Sequence, residues 1–267
     1  MHLVVCLKQI VDPELPPGDF RVDAQKKEAV RGSASLVISV FDENALETAL
    51  QLRDAAGQGK ITALCAGPES AVDALRRALS LRVDEAIRIR EEEFPALDGF
   101  GTARLLAAAV RKLEPADLVF CGREAGDWHG AMVGGLLAGE LQRPFVSLVA
   151  GAQRAGEKYV LRRQTDDGWE TVECPAPAVV SVTNDDANQP RIPKVKDNMM
   201  AFRRQIPAWG AAELGVAAAS LAGPNAALEF ASLYVPKSER QCQVIGGENA
   251  EEKAAQMVKK WAEMRVL

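Results

Sequence analysis

Through the first half of the chain, short unbroken apolar runs alternate with stretches whose apolar residues recur every three to four positions. His2–Leu7 (HLVVCL) is continuous rather than alternating, the pattern of a strand covered on both faces. Residues 12–21 are polar, and Pro13, Pro16 and Pro17 forbid a helix there. Residues 42–53 (DENALETALQLR) set Ala45, Leu46, Ala49, Leu50 and Leu52 on one broad face, with Asp42 and Glu43 suited to a helix N-terminus. The pattern then predicts a strand at 61–65, a helix at 70–80 with Val72, Leu75, Ala78 and Leu79 inward, and a strand at 86–89. A helix at 102–112, a strand at 118–121 and a helix at 132–141 that begins in glycines complete the series.

Strands and helices alternating at this spacing imply an α/β fold, a parallel sheet with helices on both faces. Ligands of such sheets bind beyond the carboxyl ends of the strands, which picks out residues 7–9, 65–68 and 121–123 as the rim. From Phe145 the pattern changes. Runs at 145–149, 159–163, 170–173 and 178–183, separated by Gly and Pro turns, read as an antiparallel β meander over 145–183 appended to the sheet. Beyond residue 184 the chain reads as extended and basic (RIPKVKDNMMAFRRQIP), then as rich in Ala and Gly to about Pro224. An amphipathic helix at 250–262 needs a surface for Ala254, Met257, Val258 and Trp261, because a lone helix is not stable by itself. The expected division is 1–184 as a nucleotide-binding α/β domain and 185–267 as a C-terminal arm ending in a helix.

Composition narrows the class. The 267 residues are 48% apolar and 26% charged with a net charge of −5, an ordinary globular balance without the basic run that nucleic acid requires. The apolar opening is short, is interrupted by Lys8 and lacks a signal-peptide pattern, and no later stretch approaches a membrane span. The five cysteines are widely spaced with no metal-ligand spacing, so reduced thiols in a cytoplasmic protein are expected.

No GxGxxG follows the first strand and no Walker loop is present, which argues against a pyrophosphate cradle in the first turn. The segment richest in chemical signals is GREAGDWHGAMVG, residues 122–134. Gly126, Gly130 and Gly134 admit close backbone approach, the following helix offers free N–H groups to a phosphate, and Asp127 can accept from a ribose hydroxyl. A glycine-rich loop that merely turns the chain is the competing reading. Asp127 with His129 also resembles an acid–base pair, but no nucleophile or metal ligand stands beside them in sequence, so His129 is expected at the surface. Met199, Met200 and Phe202 lie among Lys194, Lys196, Arg203 and Arg204, a combination suited to an adaptable docking surface.

Several segments together resemble the electron-transfer flavoprotein β subunit family: VVCLKQIVD, SVFDENALETALQLRD, TALCAGPESAVDALRRALSLRVDEAIRI, LVFCGREAGD and NQPRIPKVKDNMMA. Each is weak alone, and their order and spacing make the match specific. The resemblance implies an adenine nucleotide α-hydrolase-like sheet that works beside an α subunit carrying the redox-active FAD. It implies no bond-making chemistry in this subunit, which holds a structural AMP or, in electron-bifurcating members, a second FAD. Electrons would pass between acyl-CoA dehydrogenase-like donors and a quinone-reducing or other acceptor. The positions similar to the family's nucleotide site are Cys6, Ser39, Val40, Phe41, Asp42 and Ala66, and in the loop Gly122, Arg123, Glu124, Ala125, Gly126, Asp127, Trp128, His129, Gly130, Ala131, Met132 and Val133. The family's partner-recognition loop falls on residues 190–201, with Val195, Met199 and Met200 as docking residues.

The chain departs from the family in places. Ser39-Val40-Phe41 stands for the usual Asn-Pro-Phe, Met132 for a glutamine, Pro13 for an aromatic near the α-subunit flavin, and Val195 for a docking leucine. Met132 removes a hydrogen-bonding group, which Trp128 and His129 can offset by stacking on a base or flavin ring. AMP, FAD and an empty site therefore stay open at this point. The competing functions are a free-standing nucleotide-binding enzyme of the same sheet class and a purely structural module.

Overall fold

The computed structural model describes residues 1–16, 18–90, 97–221, 227–236 and 242–266; Pro17 and Pro224 lie outside them. The amino-terminal elements are β1 (His2–Leu7), β2 (Gln9–Val11), β3 (Arg21–Asp23), β4 (Glu28–Val30), β5 (Leu36–Ile38), α1 (Val40–Ala56), β6 (Lys60–Gly67) and α2 (Ala71–Ser80). They continue with β7 (Glu85–Arg90), α3 (Gly99–Lys112), β8 (Leu118–Gly122) and α4 (Val133–Leu141). Next come β9 (Phe145–Ala155), β10 (Lys158–Thr165), β11 (Gly168–Pro175) and β12 (Ala178–Val182). The remainder holds α5 (Val195–Arg203), β13 (Ala208–Trp209), α6 (Ala211–Leu214) and α7 (Ala250–Glu263).

The main sheet runs β11-β10-β9-β12-β8-β1-β6-β7-β13 among the described residues. Because strand side chains alternate between faces, β1 sends Leu3, Val5 and Leu7 to one core and Val4 and Cys6 to the other. The first core is completed by Ala45, Leu46, Ala49 and Leu50 of α1 with Leu75 and Ala78 of α2, and the second by Leu105, Leu106 and Val110 of α3 with Leu137 of α4. Helices thus cover both faces, as the unbroken apolar strands require. Helix α1 begins at Val40, two residues earlier than the apolar periodicity indicates, and ends where Gly57 takes φ 68° and its N–H bonds the Asp54 carbonyl.

Two expectations need correction. The run at 178–183 is not the last strand of a meander. β12 enters the sheet between β8 and β9 and pairs parallel with both, leaving only β9, β10 and β11 antiparallel in succession. Its five residues are all buried, the signature of a central strand, while the Pro-rich turn before it had pointed to a hairpin. Residues 195–203 are helical rather than extended. Pro190 and Pro193 stop short of α5, and its Met and Ala residues favour helix once Ala201 is buried against α2. Arg76 of α2 donates to the carbonyls of Ala201 (3.2 Å) and Phe202 (2.9 Å), completing that helix end. No residue of α7 is buried among the described residues: Met257, Val258 and Trp261 stay exposed, as does Met264 just beyond its end. Short strands flank the polar residues 12–20: β3 and β4 form a hairpin after them, and β2 before them pairs with β5.

The segment between β12 and α5 is bolted to α1. Asn188 is fully buried, and its amide donates to the Thr183 carbonyl (2.9 Å) and accepts from Asn44 Nδ2 (3.1 Å). The Arg191 guanidinium bonds both oxygens of Glu47 (2.8 and 2.9 Å) and Asp54 (2.8 Å). Helix α1 therefore carries a working polar stripe, Asn44, Glu47, Thr48, Gln51 and Asp54, beside its apolar one.

Candidate functional site

β1 and β8 lie side by side and parallel, and the N-terminus of α1 packs across their carboxyl ends. The Ser39 N–H donates to the Lys8 carbonyl (2.9 Å), fixing the helix start against the end of β1. The Ser39 hydroxyl does not cap its own helix but accepts the Gly126 N–H (3.1 Å), reaching into the loop after β8. Asp42 joins the two strands directly: one carboxylate oxygen accepts the Lys8 N–H (2.8 Å) and the other the Gly122 N–H (2.8 Å). Burial pushes the Asp42 carboxyl up to about 7, against the opposing pull of those two N–H donors and the Lys8 ammonium. Gly122 is required for this close approach, since a Cβ there would sit 2.6 Å from Asp42 Oδ1 and 2.8 Å from Phe41 Cβ.

Beyond Gly122 the loop rises out of the core. Asp127 is gripped by the Lys8 ammonium (2.7 and 2.9 Å) and accepts the Trp128 N–H (2.9 Å). The Arg123 guanidinium lies 4.3 Å over the Phe41 ring, pairs with Glu124 (3.1 Å) and donates to Thr183 Oγ1 (3.3 Å), while its buried Nε lacks a hydrogen-bond partner. His129 is exposed, as expected, with Nδ1 3.4 Å from Glu124. His129 and Ala131 hold left-handed backbone at φ 50° and 51°, uncommon for residues with a Cβ and typical of functional loops. Between them, a Cβ on Gly130 would meet nothing nearer than Met132 Cε at 4.0 Å, so the backbone there faces open space. No side chain caps α4 at Met132, which leaves its first-turn N–H groups available to an anion.

The structure thus brings Ser39, Asp42, Gly122, Gly126 and Asp127 into one bonded rim, with Phe41 and Arg123 stacked at its side. Val40 is exposed beside Gly126. Cys6 lies deeper, buried in the α3–α4 core, and burial with the neighbouring Cys121 holds its thiol well above the ordinary cysteine range, an inert group. Ala66 and Val133 pack partly buried on that same core, and Glu124 and Ala125 are half-buried in the loop. Met132 packs against Gly99 at the start of α3. Val195, Met199 and Met200 stand apart from the rim on α5, 77%, 59% and 56% exposed.

Sequence reasoning placed Lys8 at the rim without giving it a partner, and it missed Asp98, Lys27 and Phe230, which approach the loop from afar. Asp98 carried a readable signal, an Asp three residues before Gly101 at the head of a helical run, and it does cap α3 (2.7 Å to the Gly101 N–H). Phe230 carried none. A groove of about 900 Å³ lies elsewhere, between α2, β7 and residues 202–209. No cluster that could hold a metal ion occurs among the described residues, and no described helix is long and apolar enough to cross a membrane.

Comparison with known proteins gives a consistent picture. Residues 29–214 match the electron transfer flavoprotein domain. The chain is 30% identical to the electron transfer flavoprotein subunit beta of Megasphaera elsdenii, over 95% of this chain and 94% of that one. It is 31% identical to the same subunit of Thermoanaerobacterium thermosaccharolyticum, over 92% and 93% of the two chains. It is also 27% identical to the caffeyl-CoA reductase-Etf complex subunit CarD of Acetobacterium woodii, over the full length of both.

Proposed function

The chain belongs to the electron transfer flavoprotein family as a β subunit, and from that premise we propose that it holds an adenine nucleotide at the joined ends of β1 and β8, beside an α subunit that carries the redox flavin. The observation that carries the reading is the Asp42 clamp. It fixes the ends of both strands and lifts the 122–134 loop so that the Gly130 backbone faces open space beside an uncapped helix N-terminus. Such a surface fits a phosphate-bearing ligand held by backbone N–H groups. Ser39, Asp42, Gly122, Gly126 and residues 127–133 would hold it, with Trp128 and His129 offering ring faces. Bound AMP would supply no redox chemistry and would stabilise the fold, whereas FAD would add a second electron-transfer centre. Because the Lys8 ammonium grips Asp127 and His129 stands exposed beside Glu124, the rim suits binding better than acid–base catalysis.

Residues 185–267, which among the described residues rejoin the main sheet only at β13, would serve assembly and docking. The exposed α7 stripe of Met257, Val258, Trp261 and Met264 suits an α-subunit surface. Helix α5 offers Val195, Met199 and Met200 to an acyl-CoA dehydrogenase-like redox partner, flanked by Lys194, Lys196, Arg203 and Arg204. Likeness to a caffeyl-CoA reductase-Etf complex subunit favours a partner of that class. We place the assembly in the cytoplasm.

The test is chemical. The complex co-expressed with its α subunit is denatured and the released nucleotides are identified. One adenosine monophosphate per β chain assigns AMP to the rim, and two flavins per complex assign FAD. Release of α-subunit flavin alone, with no second nucleotide, would refute nucleotide binding by this chain.

A further inference from the structure

Trp128 projects from the rim loop, and its ring stacks on Phe230, a residue far away in sequence, with centroids 4.6 Å apart and planes inclined by 26°. Phe230 belongs to a stretch without helix or strand, residues 227–236, so local structure does not hold it in place. Three separate elements do. One oxygen of Asp98 accepts the N–H groups of both Ala227 (2.7 Å) and Leu228 (2.9 Å), while the other caps α3 through the Gly101 N–H (2.7 Å). Lys27, in the turn between β3 and β4, donates to the Phe230 carbonyl and pairs with Glu229 (3.2 Å). The third anchor is Trp128 itself.

These anchors meet the exposed part of the loop at two places. Asp98 precedes Gly99, which packs on Met132 at the end of the exposed stretch, and Trp128 stands at its start beside Asp127. Between them lies Gly130, the position with open space before its backbone. We propose that residues 227–230 form the outer wall of the nucleotide site, latched by Phe230 on Trp128, and that Phe230 and Asp98 set how long a bound nucleotide stays. The proposal rests on the reading that the rim holds a nucleotide. It goes further by giving that site a retaining element drawn from the C-terminal region.

The energetics suit a latch. The Lys27–Glu229 pair is solvent-exposed and contributes little, and Phe230 is itself half-exposed. A segment with few buried contacts opens locally far more often than the domain unfolds. If ligand leaves only from the opened form, the dissociation rate scales with the open fraction. The stacked ring pair is a contribution that one substitution can remove, worth a factor of about 3 to 10 in that fraction.

The experiment uses the full chain co-expressed with its α subunit. The protein is loaded with 1,N6-ethenoadenosine monophosphate, and in parallel with FAD, and release is followed after a chase with excess unlabelled AMP or FAD. Phe230→Ala should release the probe about 3- to 10-fold faster than wild type, and Phe230→Trp, which keeps a ring to stack on Trp128, should restore slow release. Asp98→Asn gives an independent variant. Its side-chain oxygen can still cap α3, but its amide cannot accept the strap N–H groups, so release should again be faster with the melting temperature nearly unchanged. Probe that binds and leaves at the same rate in all variants would overturn the wall while leaving the rim intact. Wild-type protein that takes up neither probe would overturn the rim reading and the wall with it.

Discussion

Asp42 shows how one side chain can do what its sequence position does not advertise. At a helix N-terminus a carboxylate ordinarily lies at the surface and answers the helix dipole, whereas here it is buried and organises two strand ends. Its folded-state value of about 7 stands above the ordinary 3.8, so the folded protein binds a proton that the unfolded chain has already released. The associated stabilisation is complete below about pH 4 and is lost as pH rises through about 7, by at most about 1.4 kcal/mol per pH unit. Wild-type stability, measured by denaturant unfolding at constant ionic strength, should therefore fall between pH 5 and 8 relative to that of Asp42→Asn, which has nothing to titrate there. Parallel curves for the two proteins would mean that Asp42 ionises as an ordinary aspartate. The loop's left-handed His129 and Ala131 lie at the same scale: no periodicity encodes them, because they arise from the path that the Asp42 clamp imposes on the chain after Gly122.

At the scale of elements, the helical state of α5 changes how the proposed docking would work. As an extended strip, residues 195–203 would present alternate side chains; as a helix, they align Val195, Met199 and Phe202 at i, i+4 and i+7 along one face, all exposed. Phe202, 69% exposed beneath the Arg76 guanidinium, would join the proposed anchors Val195, Met199 and Met200 on that face. Asp197 bridges to Arg82 (3.0 Å) and Ala201 is buried on α2, so the face is held rigid from behind. Removing one anchor from such an interface costs about 2 kcal/mol, whereas the flanking Lys and Arg residues mainly set encounter rate and salt dependence. Val195→Ala with Met199→Ala should raise the apparent Kd for the redox partner at least about 30-fold without changing flavin content. Electron-transfer kinetics unaltered across partner concentrations would remove this face from docking, and loss of the α–β complex would reassign it to assembly.

For the whole molecule, the contrast between the sheet and α7 is informative. The sheet buries nearly every apolar side chain of its central strands, while α7 buries none and leaves Trp261 and Met264 uncovered. A 14-residue helix without tertiary support is marginal in water, so its stability must come from a surface it packs against. Deleting residues 250–267 should leave the melting temperature of the isolated chain within about 2 °C of wild type, since no core contact is lost. The same deletion should weaken the α–β complex, measured by sedimentation of the co-expressed subunits. Equal complex stability with and without α7 would show that the helix is not an assembly element.

The sequence by itself determined the class of the fold and marked the ends of β1 and β8 and the loop of residues 122–134. Those features follow from periodicity and turn chemistry among residues close in the chain, as the unbroken run of β1 and the glycines of 122–134 illustrate. Only the tertiary structure decided that β12 lies between β8 and β9, since its fully buried, mostly apolar run fits any central position and the choice belongs to the strands that offer open edges. The helical state of α5 likewise needed Ala201 to find α2. The pairing of Asp42 with Gly122, of Arg191 with Glu47 and of Phe230 with Trp128 joins residues separated by 80 or more positions. Such contacts are set by the summed packing of whole elements, and no local pattern carries that information.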